Sequence, residues 1–205
     1  MPNFNRRLLV AAALGALALA GCSKSGGAGA PDTADMTMGD PNAKVKMVEY
    51  ASVTCVHCAK FNSDVFPEFK KKYIDTGKVH YTFKEFLTPP AEVAAAGFLT
   101  ARCAGKDKYF NVVDALFHAQ EEMFTSGDMR GVLLRTAQSA GMTEEQFNAC
   151  ITNEAALKSL NERMEKAIKT DKITATPSFI VNGKKIKEGE VSMAELDAAV
   201  AEASK

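Results

Sequence analysis

Two cysteines separated by two residues stand where a predicted strand gives way to a predicted helix. Residues 44–50 are rich in β-prone side chains, and apolar side chains recur at helical spacing over residues 56–75. Between these segments lies the motif Cys55-Val-His-Cys58. At the start of a helix, two residues with this spacing are about one turn apart, which is close enough for a disulfide bond. We therefore predict that the two thiols lie at the N-terminal end of a helix, directly after a strand.

The two thiols of this motif have different electrostatic surroundings. Cys55 faces unpaired backbone N–H groups and the positive end of the helix dipole, and both favour a thiolate over a thiol. An ordinary thiol with a pKa of about 8.5 is only about 3% ionised at pH 7, whereas one with a pKa of about 4–5 is almost fully ionised. Cys58, one turn inside, is expected to be shielded and to resolve mixed disulfides. His57 is expected to give a hydrogen bond or a positive charge to the Cys55 sulfur.

Other uses of a Cys-x-x-Cys motif fit this chain less well. A structural zinc site needs four ligands, but the remaining cysteines are isolated and form no second pair of this kind. A c-type haem site needs a histidine directly after the second cysteine, where Ala59 stands instead. No metal site and no cofactor is therefore predicted. An inert structural disulfide stays open as an alternative.

The order of the predicted elements indicates an α/β fold. Residues 79–87 are β-prone, so the folded part begins as strand, helix and strand, which implies parallel pairing and a right-handed crossover. Pro67 lies inside the helical pattern of residues 56–75 and is expected to kink that helix rather than end it. Helical patterns then fill about residues 90–171, among them a single helix predicted over residues 107–124.

The C-terminal part returns to strand character. Residues 178–181 and 184–187 are β-prone, and the Asn-Gly pair between them is a strong hairpin signal. Ser192 stands three residues before Glu195, which is the spacing of a capping box, so a last helix is predicted to follow. The same signature at Thr143 predicts the start of a helix within the helical block.

These features together resemble the DsbA-like branch of the thioredoxin superfamily over nearly all of residues 40–205. The Cys-x-His-Cys motif after the first strand, the helical block after the second and Thr176-Pro177 before the third all match. The resemblance implies a domain at residues 41–205 with a thioredoxin-like fold, whose helical insertion separates an N-terminal βαβ unit from a C-terminal ββα unit. It also implies that Pro177 is cis and that Thr176 and Pro177 hold substrate backbone in an extended pairing. A trans proline that starts a strand is the alternative.

Two charged residues of the first two strands acquire a role from the same resemblance. Glu49 lies six residues before Cys55, as does a buried acid of this family that relays protons for the second cysteine. Lys84, on the neighbouring strand, is implied as its partner. The alternative is a pair of solvated charges at strand ends. His80 and His118 are expected to be surface or packing residues rather than catalytic ones.

Cys103 and Cys150 both fall within the predicted helical block. Exported chains meet oxidising surroundings, so a structural disulfide is the default expectation, and some DsbA-like proteins resemble this chain in having a second disulfide in the insertion. The bond would close a loop of about 48 residues, worth roughly 4 kcal/mol in the loop-entropy model. A second redox-active pair is the alternative.

The first residues of the chain predict export. Arg6 and Arg7 precede thirteen apolar residues, 8–20, which as a helix would span only about 20 Å of a hydrocarbon core of about 30 Å. A charged start, a short apolar stretch and a small-residue end describe a signal peptide. The tetrad Leu-Ala-Gly-Cys at residues 19–22 resembles the bacterial lipobox, which implies that residues 1–21 are a lipoprotein signal peptide and are removed.

In that class of precursors Cys22 receives a diacylglyceryl group and becomes the new N-terminus. Residues 22–40, rich in Ser, Gly, Ala, Pro and Asp, would then be a lipidated, flexible tether. Ser23 at the next position resembles lipoproteins that are sorted to an outer membrane. We therefore predict a location in the cell envelope, facing the periplasm, with a lipid anchor in a membrane. An ordinary signal peptide with an incidental cysteine is the alternative.

Composition and charge narrow the range of partners. Lys and Arg number 25 and Asp and Glu number 25, so the formal net charge is zero, and removal of residues 1–21 makes it −2. This balance gives no support to a nucleic-acid partner, whose phosphates require a basic surface. Hydrophobic residues, at 46%, exclude a wholly disordered chain. One folded domain, predicted to be monomeric, has room for a sizeable core.

The sequence thus predicts a thiol–disulfide oxidoreductase that acts on the thiols of exported proteins. Stabilising the Cys55 thiolate stabilises the reduced form, so the disulfide would be a strong oxidant. The family resemblance implies a membrane reoxidase that regenerates it. A disulfide isomerase or a reductase is the nearest alternative, because Thr176 resembles the isomerases rather than the best-known oxidases. From a different class, Cys55, His57 and Cys58 could bind Cu(I), or the domain could chaperone a dedicated partner.

Overall fold

The computed structural model describes residues 34–205, and the central element of this part is a strand that is buried along most of its length. That strand, β2, pairs in parallel with β3 and antiparallel with β4, so the strand order in the sheet is β1-β3-β2-β4-β5. The strands are β1 (Met36–Met38), β2 (Val45–Ala51), β3 (Val79–Glu85), β4 (Ser178–Val181) and β5 (Lys184–Glu188). The predicted strand–helix–strand unit with parallel pairing is confirmed.

The helices surround this sheet and fill the connection between β3 and β4. They are α1 (Val56–Asp64), α2 (Phe66–Phe69), α3 (Ala91–Cys103), α4 (Lys106–His118), α5 (Gln120–Ser126), α6 (Met129–Ser139), α7 (Glu144–Ile151), α8 (Glu154–Lys169) and α9 (Met193–Ala203). A π-helical turn, Lys70–Ile74, continues α2. The predicted thioredoxin-like α/β fold with a helical insertion is confirmed, since α3–α8 separate the βαβ unit from the ββα unit. Within residues 34–205, no helix is long and apolar enough to cross a membrane.

Two predicted helices are divided in the structure. The first helix ends at Asp64 and a new helix begins at Phe66, although Val65 between them keeps a right-handed helical backbone, with φ −119° and ψ −44°. Pro67 stands in the first turn of the new helix, and the Val65 amide still bonds to the Phe61 carbonyl while the Phe69 amide bonds to the Val65 carbonyl. The helical path therefore continues past an interruption beside Pro67, in agreement with the predicted kink. The single helix predicted over residues 107–124 is interrupted at Ala119. Both predicted capping boxes, by contrast, are confirmed.

The N-terminal boundary of the folded part also differs from the prediction. Residues 36–38, which were expected to belong to the tether, form β1 and pair antiparallel with β3. Met36 is buried, with 3% of its surface exposed. The folded domain therefore includes part of the segment 22–40. The predicted signal peptide and Cys22 lie outside the described residues.

A buried carboxylate at the end of β3 connects the sheet to the helical insertion. The Glu85 side chain is 1% exposed and accepts hydrogen bonds from Arg102 Nε at 2.6 Å and Arg163 Nη2 at 2.7 Å. Tyr109 Oη donates a third hydrogen bond at 3.0 Å. A buried charge is stable when it is paired and its lone pairs are satisfied, as they are here. Side chains of three helices, α3, α4 and α8, are thereby bonded to the C-terminal end of β3.

The disulfide bond predicted between Cys103 and Cys150 is present and joins the end of α3 to α7. The two Cα atoms lie 6.3 Å apart, within the range usual for disulfides. Cys150 is buried, whereas Cys103 is exposed. The bond therefore braces two helices of the insertion.

We expect the Cys103→Ser/Cys150→Ser double variant to lose roughly 3–4 kcal/mol in free energy of unfolding, because its unfolded chain regains the entropy of the opened loop. Urea unfolding followed by circular dichroism measures this loss. The Cys55→Ser/Cys58→Ser variant, which keeps the brace, is the matched control. Equal unfolding free energies for the two double variants would contradict a bracing role.

Candidate active site

The motif cysteines occupy the predicted place at the mouth of a helix. Cys55 is the N-cap residue of α1 with extended backbone, φ −91° and ψ 118°, and Cys58 lies in the first turn. Cys55 is partly exposed, whereas Cys58 is fully buried with 0% exposure, and both are free thiols in this structure. An external thiolate can therefore reach Cys55 and not Cys58.

Hydrogen bonds at the helix mouth stabilise the Cys55 thiolate. They lower its pKa from 9.0 to about 5, the largest contribution coming from Cys58, followed by Thr176 and the backbone N–H groups of Cys58 and His57. Partial burial of Cys55 works against this shift. Cys58 shows the opposite behaviour, because burial first and the interaction with Cys55 second raise its pKa well above the usual value. The nucleophile and the resolving thiol are thus clearly distinguished.

The loop before β4 lies against the exposed thiol. The Thr176–Pro177 peptide bond is cis, as the resemblance implied, and the Thr176 carbonyl oxygen lies 3.4 Å from Cys55 Sγ. Thr176 is buried, and the Pro177 carbonyl accepts a hydrogen bond of 2.8 Å from the Gly189 amide. The structure therefore brings Thr176 and Cys55 together.

The side chain of His57 points away from the expected partner. Its Nδ1 atom lies 2.9 Å from Glu190 Oε1, and the side chain is 58% exposed. The backbone N–H of His57, rather than its ring, is the group that acts on Cys55. The predicted hydrogen bond from the ring to the sulfur is therefore wrong, since the ring nitrogen is paired with Glu190 instead. Glu190 follows β5 by two residues and was not singled out from the sequence.

Glu49 is buried on the sheet face that packs against α1, with 2% of its surface exposed. Burial raises its pKa from 4.5 to about 8, a hydrogen bond from Tyr81 partly offsets this, and the charge of Cys55 raises it further. The donor is Tyr81 Oη, at 2.5 Å from Glu49 Oε2. Glu49 in turn raises the pKa of Cys58, though less than burial and Cys55 do. The protonation of Glu49 is therefore coupled to that of Cys55 and Cys58.

The predicted partnership of Glu49 with Lys84 is wrong. The parallel register pairs Glu49 with Phe83 and Tyr50 with Lys84, and successive side chains of a strand point to opposite faces. Lys84 Nζ lies 5.4 Å from the centre of the Tyr50 ring, on the other side of the sheet. Tyr81 lies two residues before Phe83 and therefore on the same face of the sheet as Glu49. This partner can be found only when the register between β2 and β3 is known.

Residues outside the motif fix the loop that leads to Cys55. The Val53 carbonyl accepts a 2.9 Å hydrogen bond from Gln120 Nε2 of α5. Thr54 Oγ1 lies 2.9 Å from both the carbonyl oxygen and the hydroxyl of Thr88, in the loop between β3 and α3. A Cβ added to Gly97 of α3 would stand 2.8 Å from Val53 Cγ2, so only glycine allows this approach. None of these residues carries a sequence signal that points to the site.

The remaining histidines do not join the cysteines. His118 is exposed and lies 3.6 Å from Asp114. His80 is half-buried on β3, where the register pairs it with Lys46. Within residues 34–205, no group of three or more His, Cys, Asp or Glu side chains is arranged to hold a metal ion.

We expect alkylation of reduced protein by iodoacetamide to show an inflection near pH 5, the pKa of Cys55. Thr176→Val removes the hydroxyl whose interaction with Cys55 lowers this pKa, so its inflection should lie at higher pH. Thr176→Ser keeps the hydroxyl and is the matched control, with an inflection close to that of the wild type. A common inflection for all three proteins would refute this role of Thr176.

Glu49→Gln should change the dependence of stability on pH. Because the pKa of Glu49 is raised from 4.5 to about 8, its contribution is fully present below pH 4.5 and is lost as the pH rises through 8. Relative to the wild type, the variant should gain roughly 3–5 kcal/mol between pH 4.5 and pH 9. Denaturant unfolding of both reduced proteins across this range measures the difference, and a constant difference would contradict the shift.

Comparison with known proteins agrees with this geometry. The family model described as Thioredoxin matches residues 32–202. A putative protein-disulfide oxidoreductase of Rickettsia bellii is 35% identical over 153 residues, covering 74% of this chain and 58% of that protein. The chain thus spans less than two thirds of the length of that relative. Disulfide bond formation protein D of Bacillus subtilis is 27% identical, covering 73% of this chain and 68% of that protein.

A solved structure extends the agreement over most of the chain. The crystal structure of Wolbachia pipientis alpha-DsbA1 is similar with a TM-score of 0.75 and 30% sequence identity, covering 82% of this chain and 89% of that chain. The likeness includes the helical insertion as well as the βαβ and ββα units. The chain therefore belongs to the thioredoxin family, and within it to the DsbA-like proteins.

Proposed function

We propose that this protein is a thiol–disulfide oxidoreductase that acts chiefly as an oxidase, donating the Cys55–Cys58 disulfide to the thiols of other proteins. The difference between the two cysteines carries the proposal. Cys55 is accessible and has its pKa lowered to about 5, whereas burial raises the pKa of Cys58 well above its usual value. Sulfur itself carries the electrons, so no cofactor is required.

The exchange proceeds in two displacements. A substrate thiolate attacks Cys55 Sγ, the bond between the two active-site sulfurs breaks, and Cys58 leaves and takes up a proton. A second substrate thiolate then attacks the substrate sulfur of the mixed disulfide, and Cys55 leaves as a stabilised thiolate. Two electrons pass from the substrate sulfurs to Cys55 and Cys58. Of the two substrate thiol protons, one ends on Cys58 and the other in solvent.

Leaving-group chemistry favours donation of the Cys55–Cys58 disulfide to substrate thiols over reduction of a substrate's disulfide. A thiol of low pKa leaves a mixed disulfide quickly, and stabilising the reduced form makes the disulfide more oxidising. Among the described residues, the hydrogen bonds to Cys55 are the feature that supports this direction. An isomerase is the second candidate, because Thr176 beside Cys55 resembles the residue that isomerases use.

The loop at Thr176 and Pro177 is the proposed seat for substrate backbone. The Thr176 carbonyl lies 3.4 Å from Cys55 Sγ, so a peptide that pairs with this loop brings its own cysteine to the Cys55 sulfur. An extended peptide needs backbone partners rather than particular side chains. Such a seat would let one enzyme accept many exported proteins.

The cell envelope is the proposed compartment, with the domain anchored through lipid on Cys22 to a membrane, and the outer membrane facing the periplasm is favoured. The apolar residues 8–20 and the lipobox-like residues 19–22 support this placement. The brace between Cys103 and Cys150 also supports an oxidising location. Turnover requires an electron acceptor, so we propose a membrane reoxidase as a partner, acting on a monomer.

The reduction potential of the Cys55–Cys58 pair tests the direction of transfer. Equilibration with glutathione buffers should give a potential nearer about −120 mV than about −270 mV. The wild type should also oxidise reduced, unfolded ribonuclease and show little activity on scrambled ribonuclease. Cys55→Ser, which should be inactive in both assays, is the control. A potential near −270 mV would indicate a reductase, and strong activity on scrambled substrate an isomerase.

A further inference from the structure

A cavity of about 250 Å³ extends from the buried acid of the active site to the protein surface. Its inner end is formed by Glu49 and Tyr81, both buried, and its sides by apolar residues that include Val113. At its outer end lie Asn111 and Asp114 of α4, which are exposed. Water occupies about 30 Å³ per molecule in the liquid, so the cavity has room for several molecules.

The polar groups of the cavity are spaced along its length. The titratable groups that face Glu49 are Tyr81 on β3 and the two cysteines of α1. Towards the surface the lining includes Lys70, after α2, and Asn62, one turn beyond Cys58 on α1. Asn62 Nδ2 donates a 2.7 Å hydrogen bond to Asp114 Oδ1 across the mouth, and Asp114 also faces His118. Water in a protein cavity needs two to four such polar partners.

Each cycle of the proposed exchange requires that a proton reach and leave Cys58. When Cys58 is released it takes a proton from the Glu49 carboxyl, and when it attacks the mixed disulfide on Cys55 it gives the proton back. Glu49 must then exchange that proton with solvent, yet its own surface is only 2% exposed. A buried acid with no connection to water would serve for one transfer and then stop.

We propose that Glu49 exchanges its proton with solvent through this cavity, and that Tyr81 is the positioning residue that holds the Glu49 carboxyl at the inner end. The route rests on the exchange proposed for Cys55 and Cys58. Tyr81 has no direct contact with substrate. Its hydroxyl donates to Glu49 Oε2 at 2.5 Å, which fixes the carboxyl and favours its ionised form.

Two adjacent valines of α4 provide a matched test of the route. Val113 lines this cavity, whereas Val112 lines a separate cavity of about 270 Å³ between α4 and α6. Both are 3% exposed. Val113→Phe, or the milder Val113→Met, should fill the path from Glu49, while Val112→Phe and Val112→Met impose the same change of size on the other side of the helix.

The measured step is the resolution of the mixed disulfide between Cys55 and glutathione. The chain contains no tryptophan, so acid quench and mass spectrometry follow the species. Formation of the mixed disulfide needs only the Cys55 thiolate and should be the same in all variants. Resolution is measured below pH 8, where Glu49 starts protonated and must release its own proton to solvent before it can accept that of Cys58. Its rate should fall about tenfold or more in the Val113 variants, within the range of general acid–base effects, and less than about twofold in the Val112 variants.

Equal slowing by both pairs of variants, or none by either, would overturn the route. Circular dichroism confirms that each variant is folded before it is assayed. Failure of the Cys55–Cys58 exchange on which the route rests would look different, because the mixed disulfide on Cys55 would then not form even in the wild type. The two failures are therefore distinguishable in one experiment.

The pH profile tests Tyr81 separately. Tyr81→Phe removes the hydrogen bond that favours ionised Glu49, so the midpoint of the resolution rate should move to higher pH than in the wild type. Tyr109→Phe is the control, because Tyr109 donates instead to Glu85. It should leave the midpoint unmoved. An identical midpoint in all three proteins would overturn the role of Tyr81.

Discussion

The interaction on which the rest of the site depends is the stabilisation of one thiolate at the mouth of α1. Cys55 is the N-cap residue, so the backbone N–H groups of the first turn face its sulfur, and Cys58 donates to it from one turn inside. A single turn of helix thereby creates an accessible anion beside a buried thiol. The proposed direction of electron flow, the accessibility of Cys55 to substrate and the proposed need for a proton acceptor near Cys58 all rest on that difference.

Two buried acids on neighbouring strands have different partners and therefore different properties. Glu85 is held by Arg102 and Arg163, so its charge is balanced and it ties the insertion to the sheet. Glu49 instead accepts a hydrogen bond from a tyrosine hydroxyl, and burial raises its pKa to about 8. A carboxyl that is easily protonated near neutral pH contributes little as a fixed charge. It is suited to taking and giving a proton, which is the role proposed for it beside Cys58.

Features that depend on a few consecutive residues could be predicted from the sequence, and those that depend on register could not. The helix mouth at Cys55 and the capping box at Ser192 are local, and both were found. Lys84 was assigned to Glu49 because the two strands are neighbours, but the face of a strand changes at every residue. Residues 36–38 carry no long pattern, and they form a strand because β3 offers an open edge.

The helical insertion determines where the helix mouth lies, although it contributes neither cysteine. Val53 is held by Gln120 of α5 and packed against Gly97 of α3, and Thr54 is bonded to the loop that enters α3. These are the two residues that precede Cys55. The βαβ unit supplies the thiols. The position of Cys55 relative to the Thr176 loop depends in addition on the contacts that the insertion makes with Val53 and Thr54. A thiol of low pKa is useful only where a substrate can reach it, and the insertion fixes that position.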